Sequence, residues 1–586
     1  MKHALITVSG LILIAVHAMG AEYYVATSGN DANAGSATAP WRTIQRAANL
    51  MRAGDTAYVR PGTYNERVSI TVDGSAGNYI TFKADGAIMR GFDISSASYI
   101  RFIGFEITHT STTWARAFVF DGTCTRVEIL DNYMHHIFGE GGAIRALSGE
   151  SSYVTIRGNT FYYMGYVPGV WELGNGHAVS LGVPSHHWLV EYNRIQRAGD
   201  FFTMDSADVI VRNNWIHDYA DAYFASGGGH VDTFQPFRLR NHLYEANVCG
   251  DNIEAHSHLL QIRDPGTNVI FRGNVAYNYG SYALQAGAVD HVVIYNNTFY
   301  DIGNVSPGAP FGYNAEGTDP SLNNSFFNNI VHTATGSALL TADGGSRFTA
   351  ANNLGWRTGA DASLVSRADP LFANIAAKQF YLQGTSPAIN AGKAVTTVTS
   401  ANGSGTSFQV GDASLLFDGW GMVEGDVIQV GSGTPVRIVS ISGNTLTTDR
   451  STTWTTGMNV YWRQVEGTAP DIGAYEYRSG GYSPGVGIVS PAPGASVSGP
   501  TTITAVVTNA NCVRFVAFYA NGIPIAQVFG SPYTTTWNAP NGPVSIEARA
   551  FPLYAATNLV QTARVTVNGT NDQSRPAPPS NLRLVL

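Results

Sequence analysis

The sequence predicts an all-β chain whose main body is a parallel β-helix, and three observations carry that prediction. Charged residues make up 13% of the 586, beside 64 glycines and 11% aromatics, where a soluble domain has about 25% charged residues. That composition favours strands and turns over a helical bundle, a coiled coil or a disordered chain. A short run of β-formers closing on Asn then recurs: EILDNYM (Asn132), TIRGNTF (Asn159), VEYNRI (Asn193), VRNNWI (Asn214), YEANVC (Asn247), FRGNVA (Asn274), IYNNTF (Asn297), FFNNIV (Asn329) and ANNLGW (Asn353). Its intervals of 27, 34, 21, 33, 27, 23, 32 and 24 residues have the floor of a three-strand coil and an excess set by loops of different length. Alternation in Tyr153-Val154-Thr155-Ile156 and Val292-Val293-Ile294 marks the coils as strands. Coils stacked about 4.8 Å apart also stack the asparagines, whose amides can bond one another and the turn backbone. The asparagines are therefore expected to be structural.

In chain order, Lys2, the apolar run from Ala4 to Val16 and the small residues Ala18 and Gly20 read as a removed secretion signal over residues 1–20. No later stretch reaches about 18 consecutive apolar residues, so no membrane span is expected. An open solenoid end needs a cap. Residues 41–51 supply one, with apolar residues at helical spacing that end before Gly54. The β-helix is expected over 21–394 and to end at 468–478. The intervening 395–467 reads as a small inserted β-barrel, from the short strands at 407–410, 426–430 and 437–441 with Gly turns. A linker at 479–485, a module at 486–568 and a Pro-rich tail at 569–586 follow.

Two stretches carry a resemblance. YYVATSGNDANAGSATAPWRTIQRAA with AGDTAYVRPGTYNE resembles the opening of secreted bacterial right-handed parallel β-helix proteins, the pectate-lyase-like superfamily. Asp369-Pro370-Leu371-Phe372, Phe380-Tyr381-Leu382, residues 386–392 and residues 471–476 resemble its terminal coils. The resemblance covers about residues 21–477 and implies a right-handed coil. It leaves the substrate open, because the group holds lyases, hydrolases, epimerases and non-catalytic surface proteins. Residues 486–568, with Val513–Tyr519, the turn Asn521-Gly522 and Trp537, resemble a bacterial immunoglobulin-like β-sandwich.

Charge and cysteines exclude several functions. With 34 basic and 42 acidic residues the net charge is −8, which lacks the basic footprint that nucleic acid requires. Cys124, Cys249 and Cys512 cannot form a disulfide framework. Cys124 and Cys249 lie four coils apart, about 19 Å, beyond disulfide reach. All three are expected as buried thiols. The lysines are Lys2, Lys83, Lys378 and Lys393, so no mechanism can use a lysine in the middle of the chain.

Loops inserted into a solenoid gather on one face, commonly the binding face. Here the excess falls at 166–175, 219–229, 252–257 and 303–317, which would wall a cleft floored by the strand that follows each loop. Counting back from the next ladder asparagine stacks Gln235, Gln261 and Gln285, and places His177, Asp200, Asp232, His258 and Tyr282 in one column three residues earlier. Thirteen of the fifteen histidines lie between His109 and His332, the same region. Hydrolysis needs two carboxylates, about 5–5.5 Å apart for retention or about 6.5–9.5 Å for inversion; Asp232 with Asp200 or Asp205 is the candidate pair, oriented by His230 or His258. Elimination needs a base and a cation on the enolate. Arg263 resembles the strand-end arginine of alginate and dermatan lyases, whose partnering lysine is missing here, so Arg238 or a histidine would substitute. His177, His230, Asp232 and His258 contain a two-His-one-carboxylate metal set, and Asp200, Asp205 or Asp232 could instead hold calcium; no cofactor is otherwise expected. Substrate contacts are assigned to His177, Gln235, Gln261, Tyr282 and Arg238. The reading is a secreted or cell-surface monomer acting on an extracellular polysaccharide, hydrolysis slightly ahead of elimination. A non-catalytic adhesin is the alternative.

Overall fold

The computed structural model describes residues 20–109, 116–138, 142–166, 176–219, 231–253, 257–262, 265–287, 289–305, 311–313, 322–334, 336, 340–342, 348–479, 485–508, 513–521, 523–528, 530–552 and 561–570. The signal expected at 1–20 thus falls, but for Gly20, outside the described residues, as does Cys512.

The strands of the main body run parallel in a 21-stranded and a 13-stranded sheet. Val231–Glu245 shows how a coil is drawn: its first half pairs with Ser257–Ile262 and its second half, past a corner, with Gly266–Arg272. Val248–Asn252 then supplies the third face, pairing with Val275–Tyr279. A coil is therefore three faces, as the 21-residue floor implied. Inward positions stay in register from coil to coil. Ile156, Val190, Val211, Tyr244, Phe271 and Ile294 form one such row, all at most 2% exposed.

The nine asparagines form one continuous ladder. Asn247 is typical: its Oδ1 accepts Asn214 N at 3.1 Å and Asn214 Nδ2 at 2.9 Å, while its Nδ2 donates to Val211 O at 2.8 Å and to Asn274 Oδ1 at 3.0 Å. Every ladder asparagine follows a residue of positive φ, from Asp131 (54°) to Asn352 (51°), with Gly158 and Gly273 at two of the nine. The left-handed residue turns the corner tightly enough for the amide to reach the next coil.

The cap is a helix over Ile44–Leu50, shorter than the periodic run, with Thr43 accepting from Arg46 N and with Ile44, Ala47 and Ala48 buried. At the other end the terminal motifs do not form further coils. The antiparallel pair Phe372–Asn374 and Gln379–Leu382 folds back over the 13-stranded face, where Phe380 stacks on Tyr277, and Ile472 and Ala474 join the same core. The outward apolar residues Val248, Val275 and Tyr277 need that cover.

Strands between Thr396 and Trp462 form a six-stranded antiparallel sheet. Its core residues, such as Ile428, Ile438 and Leu446, are continuous with an outward row of the β-helix, Leu189, Ile210, Leu243, Ile270 and Val293. Arg272, fully buried, clamps the two with Nη1 to Asp426 Oδ2 at 2.8 Å. Past the linker, a three-stranded and a five-stranded sheet over 485–569 make a β-sandwich. Among the described residues no helix is long and apolar enough to cross a membrane.

Candidate functional site

The floor strands carry the column the sequence placed there, in the register the sequence placed it. Val179 pairs with Phe202, Phe202 with Phe234, Asp232 with His258, and Gln261 with Gln285. The corner just before Phe234 turns Thr233 inward, so that its hydroxyl bonds the buried Tyr219 and, at 2.7 Å, Tyr279. Asp232 is left facing its neighbours in the column.

Asp232 is 0% exposed and its Oδ1 lies 2.6 Å from His258 Nδ1. The carboxylate thereby sets the Nδ1–H tautomer and makes Nε2 the basic nitrogen of the neutral ring. The Tyr282 ring stacks on the other side of His258, centroids 5.7 Å apart and 19° from parallel. Asp200, 2% exposed, turns its Oδ1 to Asp232 N at 2.9 Å. Covalent geometry then keeps the two carboxyl carbons within about 8 Å. His177 Nδ1 bonds Asp200 O at 3.3 Å, and burial pushes the imidazole down to about 4, so it is neutral at neutral pH.

Other candidates take different places. Asp205 is in register with Phe237 and ion-paired to Arg238. It lies three strand steps beyond Phe202, about 10 Å, on the far side of the corner from Asp232, which removes Asp205 as the second carboxylate of that pair. Gln235 Nε2 donates to Gln261 Oε1 at 3.0 Å and Gln261 Nε2 to Gln285 Oε1 at 2.9 Å. With Gln261 0% exposed, the row is an amide ladder that stiffens the floor. Arg238 keeps a largely exposed guanidinium. His230 and Arg263 lie outside the described residues, as do most of the cleft loops.

Residues 90–264 match the family described as "Right handed beta helix region", and residues 484–548 match "Bacterial Ig domain". The chain is a right-handed parallel β-helix protein with a bacterial immunoglobulin-like module. Residues 27–72 of this β-helix protein also match "Protein of unknown function (DUF1565)". A 79-residue stretch is 33% identical to "Uncharacterized protein YwoF" of Bacillus subtilis (strain 168), covering 13% of this chain and 17% of that protein. Among solved structures, pectate lyase Pel9A is 17% identical with a TM-score of 0.42, over 79% of this chain and 97% of the other. A rhamnogalacturonan lyase is 17% identical with a TM-score of 0.38, over 60% and 87%. The GH136 lacto-N-biosidase of Eubacterium ramulus is 12% identical with a TM-score of 0.38, over 59% and 65%.

The β-helix protein also carries floor residues that sequence reasoning missed. Arg145 stands in register with Ser180, and Ser180 with Thr203, extending the outward polar row of the glutamines toward the N-terminus. Counting the row back from Gln235 through the coils would have found it. The Tyr219–Thr233–Tyr279 hydroxyl cluster had no such signal, because its members sit on different faces. Among the described residues no group of three His, Cys, Asp or Glu side chains is placed to hold a metal ion; of the metal set His177, His230, Asp232 and His258, His230 lies outside those residues.

Proposed function

We propose that the chain is a secreted enzyme that cleaves an extracellular polysaccharide in this groove, with His258 as the proton-transfer residue and Asp232 as its orienting partner. The observation that carries the reading is the 2.6 Å Asp232–His258 pair, capped by Tyr282, on adjacent floor strands of the stretch of coils into which the loops are inserted. An Asp that locks the tautomer of a histidine leaves a general base of fixed direction.

Elimination uses this arrangement directly. His258 Nε2 takes the proton α to a uronate carboxyl, the Cβ–O bond to the leaving sugar breaks, and the Tyr282 hydroxyl supplies a proton to the departing oxygen. The cation on the enolate is assigned to Arg263, two residues beyond Gln261 in the sequence. We read elimination ahead of hydrolysis because both candidate carboxylates are buried and already bonded. Hydrolysis by Asp232 and Asp200 is the second reading, favoured by a separation within about 8 Å that reaches the two-carboxylate window.

The test is residues 21–586 incubated with neutral and uronate-containing polysaccharides, recording reducing ends together with the ultraviolet absorbance of unsaturated uronates. Absorbance that falls at least a hundredfold in His258→Asn and Asp232→Asn supports elimination, the range usual for a proton-transfer group. Reducing ends without absorbance move the chemistry to the carboxylates. No cleavage of any substrate, with polysaccharide binding retained in both variants, sinks the enzyme reading and leaves a binding protein.

A further inference from the structure

A second polar pocket lies on the face next to the groove floor. The outward row that the inserted domain covers begins at Leu189; one and two coils earlier the same row is Thr155 and Glu128. Cover ends where the row turns polar. Gly421 and Met422 of the inserted domain form the end wall of a pocket of ≈ 260 Å³ whose floor is Thr155 and Glu128. At about 30 Å³ per water that is some nine waters, room for one sugar ring.

The walls are rigid and of mixed sign. Arg126, Tyr153 and His187 occupy the left-handed corner position of successive coils, at φ 58°, 52° and 56°. The Arg126 guanidinium lies 4.2 Å from the Tyr153 ring centre, and the His187 ring packs against Tyr153 at 4.6 Å, tilted by 31°. Across the floor, Glu128 is held by Arg101 at 2.6 Å and Arg157 by Glu191 at 2.5 Å. The Tyr79 hydroxyl bonds Glu128, and burial together with that carboxylate raises its pKa. Glu128, Arg157 and the Tyr79 hydroxyl are thus held before any ligand arrives, which lowers the ordering cost of binding.

Glu128 disfavours an anion, while Arg126 and Arg157 disfavour a cation. Fixed donors and acceptors side by side match hydroxyl groups, each of which gives and takes a hydrogen bond. We propose that this pocket is a second carbohydrate site, binding one neutral sugar unit between the β-helix flank and the inserted domain. It stands apart from the groove chemistry, and its test reads binding rather than cleavage.

The full chain, Thr155→Val and Arg126→Gln are titrated calorimetrically with cellotriose, xylotriose, mannotriose and trigalacturonate, with His258→Asn as the groove control. Thr155→Val keeps a β-branched strand residue and Arg126→Gln is a surface change, so both retain the fold, checked by their unfolding midpoints. At least one neutral trisaccharide is expected to bind wild type and His258→Asn alike, and at least tenfold more weakly in both pocket variants. Binding of trigalacturonate alone, neutral binding that the pocket variants leave unchanged, neutral binding lost in His258→Asn, or no neutral binding at all overturns the proposal.

Discussion

Asn247→Ala tests the device that holds the coil carrying Asp232. Asn247 closes the corner after Val231–Glu245, the strand that carries Asp232. Truncation deletes four hydrogen bonds, two accepted at Oδ1 and two donated by Nδ2, at a residue that is 0% exposed. Their losses are unequal. Asn214 Nδ2 still reaches Val190 O and Arg212 O, and Asn274 Oδ1 still accepts Asn247 N. The Asn214 N–H loses its acceptor, and a buried orphan donor costs about 1–3 kcal/mol. The other lost bonds add about 0.5–1.5 kcal/mol each where no substitute forms, so the expected destabilisation is roughly 3–5 kcal/mol. Urea unfolding followed by far-ultraviolet circular dichroism should show a lower midpoint at unchanged slope. A difference under about 1 kcal/mol would mean that the corner is held by the strands alone and that the ladder is only decorative.

Three further outcomes follow from particular groups. Arg272 is buried between Asp426 and Glu245, with Nη2 at 2.5 Å from a carboxylate oxygen of each, so Asp426→Ala should cost about 1.5–3 kcal/mol for the charged hydrogen bonds lost while Glu245 keeps the guanidinium paired, and adding Glu245→Gln should carry the loss to about 3–5 kcal/mol by stranding it; no further loss in the double variant would refute the charge account. Asp131 has a buried Oδ1 without a hydrogen-bond partner, and burial pushes its carboxyl up to about 7 against the pull of Arg157 and Lys83. Its folded pKa exceeds the unfolded one, so the cost is absent below about pH 4 and complete above about pH 7. Asp131→Asn should therefore stabilise by about 2 kcal/mol at pH 8, half the ceiling of about 4 set by the shift, and by nothing at pH 4, in unfolding midpoints measured at both. His177 has the opposite sign: burial lowers it to about 4, so its contribution is lost as pH falls below about 6.5 toward 4, and His177→Gln should flatten that part of the stability profile.

The sequence by itself determined the period and the register. A corner asparagine behind a left-handed residue must recur once per coil, and a constant count back from it to the floor put Gln235, Gln261 and Gln285 in one row and Asp200, Asp232 and His258 in another. Those are local facts, because turn chemistry and strand alternation act over a few residues. Which side chains in a row bond one another is not local. Only the folded chain showed that Asp232 is committed to His258, that Asp200 is turned to a backbone N–H, and that Asp205 belongs to Arg238 beyond a corner. The apolar outward row from Leu189 to Val293 was likewise unreadable alone, since its cover returns from far along the chain; Arg272 and Asp426 are 154 residues apart. Periodicity fixes a coil from within, whereas burial of an outer face depends on whatever segment packs against it, and that segment carries no matching period.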